Sequence, residues 1–332
     1  MPPPPAPRFH GPGGPVPPPG ARPGPAGPVP AAPYPPPAPR RRASRPVVWT
    51  AAIMSALVSI TAAAAAVVLL VAQGGQAPDS PERTPVDLSS RYSPELAEPP
   101  TAVEIDVSAH PVYDLAMPEP VDCPIPELDA SSDSSWEAFS AELGGCLNDL
   151  WRPRLEELGL RVADPEFKTT RENPDEGSTE EGMTLAYYDS EVREITIVIP
   201  NVSALSEEFP DRDQEGVWSA LIGHEYGHHV QEVTGVLEES YEMEYGASSQ
   251  SQSLQALRRT ELQAECMGGV AMRGLGAFDD AAIERVNELL NGGDDLPTHG
   301  TSQNRRTWYD QGADGETLEA CNTYAAPAGK VR

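Results

Sequence analysis

The sequence predicts an α+β domain carried behind a disordered tail and one membrane-spanning helix, and three observations lead there. Residues 47–72 hold no charged side chain over 26 positions. The β-branched run EITIVIP at 194–200 closely follows TLAYYDS, a pattern of two neighbouring strands or a hairpin. Two long segments of helical period come next, one from near Asp213 to a stop at Gly235 and one from about Leu254 to Arg273.

The tail is residues 1–46. It contains 20 of the 38 prolines, six arginines and no acidic residue. With so few large apolar side chains it cannot bury enough surface to offset the entropy of ordering. The next segment, 47–72, would be about 39 Å long as a helix, more than the roughly 30 Å of a bilayer's hydrocarbon core. A secretory signal peptide is the rival reading, but its apolar stretch is shorter and follows a short basic head. Arg40, Arg41, Arg42 and Arg45 precede this helix, whereas QGGQAPDSPE follows it. The positive-inside rule then places the N-terminus in the cytoplasm and everything after residue 72 outside the cell membrane, in a single pass through the lipid bilayer.

From residue 73 onward, 17 basic residues face 51 acidic ones. Phosphate backbones would meet a strongly negative field, so nucleic acid is excluded as a partner. Residues 73–120 are rich in Pro, Ser, Asp and Glu without apolar period, which predicts an extended extracytoplasmic stalk. A domain over 121–326 remains. On the outer side, four cysteines are expected to pair. Three connectivities are possible; Cys123 with Cys146 and Cys266 with Cys321 each close a loop within one end of the domain and are the favoured pairs. No CxxC spacing supports a cysteine metal site.

Within the domain, WEAFSAELGGCLNDLWRPRLEELG predicts two short helical stretches broken by Gly144, Gly145 and Pro153. The stretch EESYEMEYGASSQSQ reads as a polar connection, AAIERVNELL as a shorter helix, and DDLPTHGTSQNRRTWYDQG as a loop.

The chemistry concentrates in the first long helix, where His224, Glu225, Tyr226, Gly227 and His228 form an HExxH pattern. Residues i and i+4 share a helix face, so two imidazoles can meet one zinc ion while Glu225 lies about 100° round, beside it. Glu225 is then placed to act as general base on a water. His229 lies off that face and reads as a supporting or surface residue. In the second helix, Glu261 and Glu265 are again i and i+4 on a stripe with Leu254, Leu257 and Gly268. Buried carboxylates need a cation. Glu261 is the candidate third ligand to one Zn²⁺ per chain, and Glu265 the candidate partner that orients a ligand histidine. His299 is a candidate contact to the transition state or substrate, or else a loop histidine bonded to backbone, and Tyr241 and Tyr245 are rival donors.

HEYGHHVQ at 224–231, ELQAEC at 261–266, THGTSQNR at 298–305 and CNTY at 321–324 resemble, in order and spacing, the neutral zinc metallopeptidases of bacteria. The resemblance spans roughly residues 185–325. It implies a zincin-like fold, with the active-site helix beside a small sheet and zinc on His224, His228 and Glu261. The leading expectation is a membrane-anchored zinc metallopeptidase acting on a peptide or protein substrate. The alternatives are a noncatalytic surface binding module stapled by zinc, and an amidase acting on cell-wall peptides.

Overall fold

A computed structural model describes residues 105–175 and 183–332. The expected tail, membrane helix and most of the stalk lie outside the described residues. Among those that are described, no helix is long and apolar enough to cross a membrane.

Residues 105–120 belong to the domain rather than to a stalk. Ile105 and Val107 pack with Val236 and Tyr324, and Tyr113 is buried, its hydroxyl donating to Val107 O. The apolar anchors are too far apart in this segment to produce a period. The far end of the domain also runs past 326, since Val331 is buried and Arg332 O accepts from Thr301 N.

Helix α1, Asp133–Glu156, begins at Ser132, whose side chain accepts from Ser135 N. It is continuous, against the expected break at the glycines. A Cβ on Gly144 would stand 2.3 Å from the Phe167 ring, so the glycine is there to admit a side chain from the sheet. Pro153 is fourth from the end, so the helix runs only three residues past it. The apolar face of α1, with Trp136, Phe139, Leu143, Leu147 and Trp151, enters the main core.

The strands are β1, Glu166–Thr170, β2, Ala186–Asp189, and β3, Glu194–Val198. They form one sheet in the order β1-β3-β2, with β1 parallel and β2 antiparallel to β3. The strand expected over 194–200 ends at Val198. Ile199 and Pro200 open helix α2, Ile199–Ser206, because proline suits the first helical turn.

Helix α3, Asp211–Thr234, carries Asp211 and Asp213 in its first turn, where they complement the helix dipole. It stops at Gly235, whose φ of 80° is left-handed. The polar stretch that follows is not a plain connection: Val236–Tyr245 forms helix α4, held by Val236, Leu237 and Ser240 on its inner side. Helix α5, Gln250–Gly274, starts at the Ser249 cap, and α6, Asp280–Asn291, at the Asp279 cap. The expected loop after His299 is largely helix α7, Ser302–Asp314. Its buried face consists of Asn304, Arg305, Trp308, Tyr309, Gly312 and Ala313, in which the polar pair Asn304 and Arg305 interrupts any apolar stripe.

The central α3 crosses α5 at main-chain distance. A Cβ on Gly223 would meet Ala271 Cβ at 2.8 Å, and one on Gly227 would meet Ala264 O at 3.1 Å. On its other side α5 meets α7 just as closely, a Cβ on Gly312 falling 1.8 Å from Cys266 O. Both favoured disulfides are present. Cys123–Cys146 ties the segment before α1 to that helix, and Cys266–Cys321 ties α5 to the C-terminal region.

Candidate metal centre

The α3–α5 crossing brings the two motif-bearing helices together side by side. His224, Glu225 and His228 on α3 and Glu261 and Glu265 on α5 are all buried, each no more than 4 % exposed. His224 Nε2 and His228 Nε2 each lie 3.4 Å from Glu261 Oε2. From the turn between α6 and α7, His299 Nε2 comes within 3.1 Å of the same oxygen. The ligand atoms of His224, Glu261 and His299 all lie within 4.8 Å of one another and could hold a metal ion.

The donor set fits a divalent cation on an independent ground. His224 Nε2, His228 Nε2, His299 Nε2 and Glu261 Oε2 are buried without a hydrogen-bond partner, and the buried Glu225 carboxylate has only the Tyr188 main chain. Four orphaned polar atoms in one place would be costly if nothing else reached them.

The outer ring nitrogens, by contrast, have partners. Glu265 Oε2 lies 3.2 Å from His224 Nδ1, and Asn291 donates to the other oxygen of Glu265. His228 Nδ1 is 2.9 Å from Gln231 Oε1. An acceptor at each Nδ1 puts the proton there and leaves the Nε2 lone pair pointing inward, as a metal ligand requires. Gln231 and Asn291 are the site residues that motif reasoning missed. Gln231 had a signal, being one helical turn beyond His228; Asn291 had none, since only the fold carries α6 to Glu265.

Charge balance points the same way. Burial disfavours a charged His224, but the Glu261, Glu265 and Glu225 carboxylates outweigh it and hold the pKa at about 10. Burial would likewise raise Glu261, yet the His299, His228 and His224 rings hold it well below the usual carboxylate range. The cluster demands positive charge, which protons supply in the absence of a metal ion. Glu225 is raised, first by burial, with His224 and His228 opposing.

The remaining candidates lie around this centre. His229 is neither at the surface nor against the ligand group. It is fully buried with Nδ1 3.1 Å from Tyr188 OH, and burial pulls its pKa down to about 3. Tyr241 is half-buried and pushed up to about 12, by burial and then by the Glu261 and Glu244 carboxylates. Tyr245 is exposed.

Over 121 residues the chain is 34% identical to an uncharacterized protein, YpfJ, of Escherichia coli K12, covering 31% of this chain and 42% of that one. It is 26% identical over 133 residues to an uncharacterized protein, Rv2575, of Mycobacterium tuberculosis H37Rv, covering 32% and 43%. The chain thus spans about two-fifths of the length of the curated relatives it matches. No solved structure matches it. Residues 179–296, the stretch that carries His224, Glu225, His228, Glu261 and Glu265, match the family described as "Putative neutral zinc metallopeptidase".

Proposed function

We propose that the chain is a zinc metallopeptidase, anchored by residues 47–72 and hydrolysing peptide bonds outside the cytoplasmic membrane, with Glu225 as general base. One observation carries the reading. Glu225 is fully buried beside His224, with no side chain donating to its carboxylate and only the main chain of Tyr188 as a hydrogen-bond partner. A site that merely staples two helices gains nothing from a second buried carboxylate there. Burial raises the basicity of Glu225, which suits a group that takes a proton near neutral pH.

His224, His228 and Glu261 would hold one zinc ion. Bound zinc polarises a scissile carbonyl and makes water a stronger acid. Glu225 takes the proton of the attacking water and returns it to the leaving amine. Glu265 and Gln231 keep the two imidazoles facing inward. The uncharged span, the preceding arginine cluster and two disulfides support an outward-facing domain.

Near-complete burial of His224, His228 and Glu261 favours a second reading, a noncatalytic module in which the ion only joins α3 to α5. Zinc analysis and cleavage of a library of linear and cell-wall-type peptides, by the full-length chain and by Glu225→Gln, separate the two. The expected result is equal zinc content and a loss of turnover of about 10²- to 10⁴-fold. Cleavage by the zinc-loaded wild type no greater than by the variant would transfer the assignment to the noncatalytic module.

A further inference from the structure

His299 has a geometry that a substrate contact does not require. It sits 3 % exposed with Nδ1 2.7 Å from Thr298 Oγ1, and its ring stacks on that of His224 at 6.3 Å and 29°. Its Nε2 is closer to Glu261 Oε2, at 3.1 Å, than either HExxH imidazole, both at 3.4 Å. None of these atoms makes a hydrogen bond. Three rings therefore reach one oxygen without being aligned to donate to it, as atoms aimed at a shared point are.

Distance decides between the possible roles. Ligands 2.0–2.1 Å from a tetrahedral zinc stand about 3.3–3.4 Å from one another; the three separations from Glu261 Oε2 lie within a few tenths of an ångström of that edge, and the donor atoms of His224, Glu261 and His299 all lie within 4.8 Å of one another, a group that does not include His228. A donor to the transition state must leave room for a substrate oxygen between itself and the ion, at about 2.7–3.1 Å from that oxygen. That places it one atom farther out than His299 is found.

The turn that presents His299 is firmly held. Leu296 and Gly300 exchange two backbone hydrogen bonds, at 2.9 and 2.8 Å, and Gly300 takes a φ of +82°. Arg305, itself 1 % exposed, donates to Gly300 O and Asp294 O. A ligand offered on a preformed turn loses little freedom on binding.

We infer that His299 is a protein ligand alongside His224 and Glu261, with whose donor atoms its own lies grouped, and that His228, 3.4 Å from Glu261 Oε2, turns in to complete the set when the ion binds. The inference rests on the zinc reading above. It remains compatible with a hydrolytic role for Glu225 because zinc accepts a fifth ligand.

X-ray absorption at the zinc edge of the full-length chain, loaded with one equivalent of zinc, counts the bound imidazoles. The expected count is three in wild type and two in His299→Gln, with the variant's zinc affinity more than about 10-fold weaker by chelator competition. Thr298→Val, which removes only the Nδ1 partner, should keep three imidazoles. The wild-type spectrum decides the count even if the variants misfold. Two imidazoles in wild type would overturn the completed set and leave the zinc reading standing, whereas a wild type that retains no zinc would overturn both.

Discussion

Gln231 Oε1 accepts from His228 Nδ1 at 2.9 Å, while the amide nitrogen of Gln231 donates to Thr260 O and Gln263 Oε1, also at 2.9 Å. Gln263 in turn donates to Tyr113 OH and Cys321 O. The orientation of one ion-facing ring is thus supported from α5, from the N-terminal segment and from the C-terminal disulfide region. Gln231→Leu removes the acceptor and spares every ligand. Zinc affinity should fall by about 10- to 100-fold, measured by competition with a chromogenic chelator. An unchanged affinity would show that Gln231 does not position His228.

Glu261 and Glu265 lie one turn apart on α5, but their oxygens face different atoms. Glu261 Oε2 meets three imidazole Nε2 atoms, whereas Glu265 spans His224 Nδ1 and Asn291. Glu261→Gln should abolish stoichiometric zinc binding in a dialysed sample. Glu265→Gln should retain the metal at affinity lowered about 10- to 100-fold. The opposite ranking in metal analysis would exchange the roles of the two residues.

His110 is buried and accepts the Val112 N–H at 3.0 Å. Burial holds its pKa down at about 4, against a backbone hydrogen bond with Thr234 that favours the charged ring. An unfolded chain titrates this imidazole near 6.5. Between about pH 6.5 and 4 the unfolded state therefore binds a proton that the folded state refuses. The stability tied to His110 is complete above that window and is lost as pH falls through it, by up to roughly 3 kcal/mol. His110→Asn keeps an acceptor at the cap but cannot titrate, so its thermal midpoint should fall less steeply with acid. Parallel curves for the two proteins would exonerate the imidazole.

What was legible in the sequence was what depends on local spacing. The HExxH turn, the i and i+4 glutamates, the paired strands near 186–198 and the glycine that ends α3 all follow from periods of a few residues. The misread elements depend on distant neighbours. Helix α1 survives its glycines because Phe167 fills the notch at Gly144. Helix α7 is secured by groups such as Trp308, which donates to Lys330 O, and Arg305, which donates to Asp294 O, so no apolar stripe announces it. His299 lies 38 positions after Glu261, and only the docking of α7 against α5 joins them. Its residue type was visible, and its aim was not.

The contact of α3 with α5 through Gly223 and Gly227 has a consequence for how the centre accepts an ion. Side chains at a helix interface can repack, but main chain against main chain has almost nothing left to give. The spacing of His224 and His228 from Glu261 is therefore set by the backbones themselves. If the centre holds zinc, exchange for a larger ion such as cadmium should be taken up by the ligand side chains more than by the helices, since the backbones at Gly223, Gly227 and Gly312 are already close. The glycines thus fix how near the two motif-bearing helices stand, and with it the frame from which the ligand side chains must reach any ion.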